Sequence, residues 1–129
     1  MNPEKNKLIK IFVVAGEPSG DMHGAILMQK LKKLQPNIQF LGIGGKKMQA
    51  EGLNSIIPIE KISVIGIVEV LKKMSTFLKL KKQCENILLN EKIDCFVPID
   101  YPGFNLKLAK FATSQKIPVY YYIDRKSVV

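Results

Sequence analysis

The run Ile11-Phe12-Val13-Val14-Ala15 passes directly into Gly16-Glu17-Pro18-Ser19-Gly20-Asp21-Met22-His23-Gly24, and few folds accept that order. A continuous apolar stretch reads as a strand buried on both faces, which means a parallel sheet covered by helices. The glycines let the backbone turn tightly and approach a ligand closely. The helix that follows points unpaired N–H groups at the space above the sheet, where phosphate or sugar is the natural guest. The spacing is not the Gly-x-Gly-x-x-Gly of dinucleotide folds, and the Gly-Lys-Ser/Thr of a P-loop is missing.

The rest of the chain repeats this alternation. Asp21 to Leu34 has broadly helical apolar spacing at Met22, Ala25, Ile26, Met28, Leu31 and Leu34, and Pro36 closes it. Phe40 to Gly45 reads as a second strand, Lys46 to Glu51 as a short helix stopped by Gly52, and Ile56 to Ile59 as a third strand weakened by Pro58. A long helical pattern runs from about Ile65 to Leu89. Cys95 to Ile99 is the next strand, ending in the turn Asp100-Tyr101-Pro102-Gly103-Phe104-Asn105; Leu106 to Ser114 is helical, and Pro118 to Ile123 is a fifth strand. Such alternation predicts right-handed crossovers and a doubly wound, mainly parallel α/β sheet. Ligands of these sheets bind beyond the carboxyl ends of the strands, so the Glu17, Gly44 and Asp100 loops converge on one cleft.

Charge narrows the partners. The formal net charge of +9 raises nucleic acid, but the only arginine is Arg125, so the bidentate contacts that read base edges are missing and no nucleic-acid partner is expected. An anionic membrane surface suits the lysines better. The pattern Ile67, Val68, Val70, Leu71, Met74, Phe77 and Leu78 covers more than one helical stripe, flanked by Lys72, Lys73, Lys79, Lys81 and Lys82. It fits either a wide buried face or an exposed patch that dips into acyl chains while lysines meet headgroups. Cys84 and Cys95 make no disulfide framework and have no zinc-site spacing, consistent with a reduced, cytosolic setting and no metal. The N-terminal apolar run is too short to span a bilayer.

Several side chains fit chemistry. Asp100, at the end of a buried strand, suits a general base that takes a proton from an attacking hydroxyl; read from the residues alone, it suits rather better a carboxylate capping the next helix or holding the turn. Ser19 or Asp21 fits the cap of the first helix. Glu17, before Pro18, suits a hydrogen bond to a substrate hydroxyl or a structural role. His23, the sole histidine, reads as a surface or packing residue.

Four stretches taken together resemble one family. Val14-Ala15-Gly16-Glu17-Pro18-Ser19-Gly20-Asp21, Gly44-Gly45-Lys46-Lys47-Met48-Gln49-Ala50-Glu51-Gly52, Val64-Ile65-Gly66-Ile67-Val68-Glu69-Val70-Leu71 and Ile99-Asp100-Tyr101-Pro102-Gly103-Phe104-Asn105 are similar, in order and spacing from about Lys10 to Ile123, to the lipid-A-disaccharide synthases. The resemblance implies a two-domain GT-B glycosyltransferase with a Rossmann-like N-terminal domain. It joins UDP-2,3-diacylglucosamine to 2,3-diacylglucosamine 1-phosphate (lipid X) and releases UDP, without cofactor or metal, on the cytoplasmic face of the inner membrane of Gram-negative bacteria. It makes Asp100 the base for the acceptor 6-hydroxyl. Glu17, Ser19, Gly20, Asp21 and Gly44 then line the same cleft, with Asn105 in support. It also favours the membrane patch of Val68, Leu71, Met74, Phe77 and Leu78 with Lys72 and Lys73.

On this reading residues 1–123 are the N-terminal, acceptor-side domain, and the UDP site belongs to a second domain beyond them. A chain of this length is not expected to catalyse alone. Residues 124–129, Asp124-Arg125-Lys126-Ser127-Val128-Val129, depart from the family pattern and read as translated adapter DNA. The competing class is a non-catalytic module that holds a phosphorylated sugar or lipid in the Gly16 to Gly24 loop.

Overall fold

The computed structural model describes residues 7–16, 18–56 and 74–122. Strand β1 (Ile9–Ala15) leads to helix α1 (Pro18–Leu34), β2 (Ile38–Ile43), α2 (Lys46–Ala50) and β3 (Leu53–Ser55). Helix α3 (Met74–Asn90), β4 (Cys95–Ile99) and α4 (Pro102–Ser114) follow. The strands form one sheet in the order β3-β2-β1-β4, every pair parallel. This is the expected Rossmann-like α/β arrangement.

Alternation along β1 builds two cores. Ile11, Val13 and Ala15 join Ala25 and Met28 of α1 and Met48 of α2 on one face. Phe12 and Val14 join Leu80, Cys84 and Leu88 of α3 and Phe104 and Leu108 of α4 on the other. Successive strand side chains point to opposite faces, so an unbroken apolar run is what a doubly covered strand requires. Gly42 at φ +142° faces Val13 across β1 and β2, and a Cβ there would fall on the Val13 carbonyl oxygen. Only glycine fits that position.

The buried face of α1 differs from the one expected. Gly20, Asp21, Gly24, Ala25 and Met28 are inside, whereas Met22, Ile26 and Leu34 are exposed. Small residues bring the helix close to the sheet: a Cβ on Gly24 would lie 2.6 Å from Met48 Sδ and 2.9 Å from Ile99 Cδ1. Pairing with β2 begins at Leu53, ahead of the expected strand at Ile56 to Ile59, because Gly52, at φ +104°, turns the chain straight out of α2. Residues 57–59, with Pro58, lie outside the described residues, as does 57–73 altogether.

The fifth strand appears as two parallel bridges, Phe96 to Val119 and Ile99 to Tyr122. Phe96 N–H donates to the Pro118 carbonyl, Tyr120 N–H to Phe96, Tyr122 N–H to Pro98 and Asp100 N–H to Tyr122, each at 2.9 Å. The rung between these belongs to the nitrogen of Pro98, which has no hydrogen to give. Pairing is therefore interrupted at its centre and intact at both ends.

Candidate active site at the switch point of the sheet

From β1 the chain moves outward through β2 to β3, then returns across the sheet to β4 on the other side of β1. The loop after β1 enters α1 over one face, and the loop after β4 enters α4 over the opposite face. The carboxyl ends of β1 and β4 thus diverge and leave a crevice, the place where open parallel sheets bind ligands. Ala15 pairs with Ile99 at this end of the two strands. The first loop and Asp100 therefore sit side by side, as their positions at strand ends predict.

Asp100 and Tyr101 both hold left-handed backbone, at φ +46° and +50°. Each costs about 1–2 kcal/mol for an ordinary residue, although aspartate tolerates the region better than most. Tyr101 is the N-cap residue of α4 and its side chain makes no capping bond; Pro102 starts the helix with its φ already set. Strain of this kind persists only where surrounding bonds fix it. Here the Asp100 carbonyl accepts two hydrogen bonds, from Asn105 Nδ2 at 2.8 Å and from Tyr121 Oη at 2.8 Å.

Asn105 ties the crevice floor together. Fully buried, it also directs Nδ2 to the carbonyls of Val14 at 3.2 Å and Ile99 at 3.3 Å, so one amide joins the ends of β1 and β4. Its Oδ1 has no hydrogen-bond partner among the described residues.

Asp21 has a different job from either one expected. It caps α2, across space, rather than its own helix: Gly45 N–H and Met48 N–H donate to Oδ1, both at 2.9 Å, and Lys47 N–H to Oδ2 at 3.1 Å. A helix start leaves such N–H groups unpaired, and a carboxylate there also meets the positive end of the helix dipole. Gly45 has to be glycine for this contact, since a Cβ would come within 2.6 Å of Asp21 Oδ2. With both oxygens engaged and the residue buried, Asp21 shapes the first loop rather than lining the cleft.

Gly20 and Gly44 are buried too. The space in front of Gly20 is occupied by Ala15 and Ile99, and that of Gly44 by Met48 and Leu53. Their lack of a side chain serves close packing of the loops. Ser19 is exposed at the start of α1. Glu17 lies outside the described residues. His23 comes within 3.5 Å of Tyr122 Oη through Nδ1, with the rings 5.6 Å apart. The contacts of Tyr121 and Tyr122 were not legible beforehand; their only signal is a run of three tyrosines within the fifth strand.

The patch proposed for the membrane divides. Val68, Leu71, Lys72 and Lys73 lie outside the described residues, and of Met74 only the helical backbone is described. Phe77 is partly buried against the core rather than free at the surface: it packs edge-on to Phe104, centroids 5.3 Å apart at 90°, and Lys107 Nζ lies 5.1 Å over its ring. Leu78, one residue on, is 55% exposed. Phe77→Ser is therefore expected to destabilise the fold by about 2–3 kcal/mol in a urea titration. Leu78→Ser should leave the unfolding midpoint within experimental error of wild type.

Among the described residues no helix is long and apolar enough to cross a membrane, and no three His, Cys, Asp or Glu gather as a metal site. Both thiols are free; burial pushes up the pKa of Cys84 and, followed by the charge of Asp94, that of Cys95. Neither is suited to act as a nucleophile.

A doubly wound parallel sheet with a carboxylate at its switch point defines a ligand-binding α/β domain of the kind that sugar- and nucleotide-handling enzymes use. The lipid-A-disaccharide synthetase family model matches residues 11–125, and the chain belongs to that family. It is 47% identical over 111 residues to the lipid-A-disaccharide synthase of Hydrogenovibrio crunogenus, covering 86% of this chain and 30% of that protein. The Pseudomonas fluorescens Pf0-1 synthase is 44% identical over 116 residues, 90% of this chain and 31% of the relative. A Coxiella burnetii synthase is 40% identical over 114 residues, with 88% and 30% covered. The chain thus spans about a third of the length of these relatives.

Proposed function

We propose that these residues form the N-terminal, acceptor-side half of a glycosyltransferase of lipid A synthesis. Its substrates are UDP-2,3-diacylglucosamine and 2,3-diacylglucosamine 1-phosphate. Asp100 takes the proton from the acceptor 6-hydroxyl as that oxygen attacks the anomeric carbon of the donor. The bond from that carbon to the diphosphate oxygen breaks, UDP departs with the electron pair, and the α-linked donor becomes a β-linked disaccharide in one in-line displacement. Helix N-termini and lysines stabilise the negative charge that develops on the leaving diphosphate. Ser19, the main chain of Gly20 and Gly44, and Glu17 contact the acceptor, and Asn105 supports the floor of the site.

The observation that carries this reading is the position of Asp100, on a constrained left-handed turn at the switch point of a chain belonging to this family. The rest of the machinery, including the UDP site, lies in a second domain beyond residue 123. Work takes place on the cytoplasmic face of the inner membrane, where both acylated substrates reside and where exposed apolar residues such as Leu78 meet lipid. The test is UDP release by the full-length protein from vesicles carrying both substrates. Release that depends on the acceptor, with formation of the disaccharide, supports the proposal. Tight binding of the acceptor with no release in the full-length protein favours a non-catalytic binding module instead.

A further inference from the structure

We propose that Tyr121 is a positioning residue for Asp100, its hydroxyl holding the Asp100 backbone in the left-handed conformation that sets the carboxylate at the crevice. This rests on the reading of Asp100 as the general base. Hydrogen bonds hold the main chain of Asp100 on both sides: its N–H donates to the Tyr122 carbonyl at 2.9 Å, and its carbonyl accepts from Asn105 and Tyr121. The two donors differ in kind. Asn105 is fully buried and joins three carbonyls, so its removal disturbs the whole strand edge. The hydroxyl of Tyr121 reaches Asp100 alone, across 21 residues of sequence, from a segment that pairs with β4 only at its ends. Losing it removes a side-chain tie from a strained turn, which then relaxes toward ordinary backbone angles and carries the carboxylate with it.

Tyr121 is suited to this task. Burial, and then the charge of Asp100, push its pKa above the ordinary phenol value, which favours the protonated, hydrogen-donating form. Its ring lines a groove with Leu27, Leu31, Cys95 and Val97, which a phenylalanine fills equally well. Tyr121→Phe therefore removes the hydroxyl and keeps the packing.

The experiment is a double-mutant cycle in the full-length protein, with steady-state and single-turnover assays of wild type, Tyr121→Phe, Asp100→Asn and the double variant. Tyr121→Phe is expected to lower kcat about ten- to a hundredfold, as misplacement of a reacting group does, with KM for the acceptor within about twofold and an unchanged melting midpoint. In the Asp100→Asn background the same change should have almost no further effect, because no base is left to position. A wild-type rate in Tyr121→Phe overturns the proposal. So does a loss that repeats undiminished in the Asp100→Asn background, a loss confined to KM, or a Tyr121→Phe protein that does not fold, since each gives the hydroxyl another role. Near-normal turnover in Asp100→Asn, by contrast, overturns the base assignment itself.

Discussion

Asp100→Asn in the full-length protein is expected to cut disaccharide formation by about a hundred- to ten-thousand-fold, the usual cost of losing a general base. Asparagine has the size of aspartate and hydrogen-bonds with similar reach, but it does not accept the acceptor's hydroxyl proton. It is also the better comparison than alanine, because asparagine tolerates left-handed backbone as aspartate does. The φ of +46° at this position is thus kept, and the effect reports the carboxylate rather than the turn. Binding of the acceptor and the melting midpoint should both stay close to wild type. Turnover within a few-fold of wild type would mean that the base is elsewhere in the protein.

The second large effect concerns stability. Asp21→Ala removes the acceptor of three main-chain N–H groups, those of Gly45, Lys47 and Met48, at the start of α2. Helix α2 has five residues, too few to hold without this anchor. Leaving donors unpaired in a buried setting costs about 1–3 kcal/mol each in the worst case, and loss of a cap alone about 1 kcal/mol. An overall destabilisation of about 2–4 kcal/mol is expected in equilibrium urea unfolding of the chain. Asp21→Asn should fall between the two, since it retains one acceptor oxygen and loses the charge that faces the helix dipole. An Asp21→Ala protein as stable as wild type would show that water replaces the carboxylate at no cost, and that α2 is held by Met48 packing instead.

The sheet was legible because its cause is local. Ile11 to Ala15 and Cys95 to Ile99 are continuous apolar runs, and a run of that kind has one stable environment, a strand covered on both faces. The strand ends, marked by Gly16 and by Asp100, located the crevice for the same reason. The third strand was harder, because Leu53-Asn54-Ser55 has no β-branched run of its own and pairs only because Gly52 delivers it beside Phe40. The interruption at Pro98 needed the partner strand before its missing N–H had any consequence.

Assignment of side chains to tasks depended on contacts between distant residues, which periodicity does not report. Phe77 and Leu78 are neighbours with the same apolar character, and only the placement of α4, bringing Phe104 and Lys107 over one of them, packs Phe77 against the core and leaves Leu78 at the surface. Asp21 reads as a cap in either setting, but which helix it caps depends on how closely Gly24 lets α1 approach α2. Family and sheet type follow from residue pattern alone, because motif spacing and burial periodicity are properties of the chain itself. The backbone conformation of Asp100 was decided by tertiary structure, since its left-handed turn is held by Asn105 and Tyr121, and a hydrogen bond across 21 residues exists only once the strands are paired.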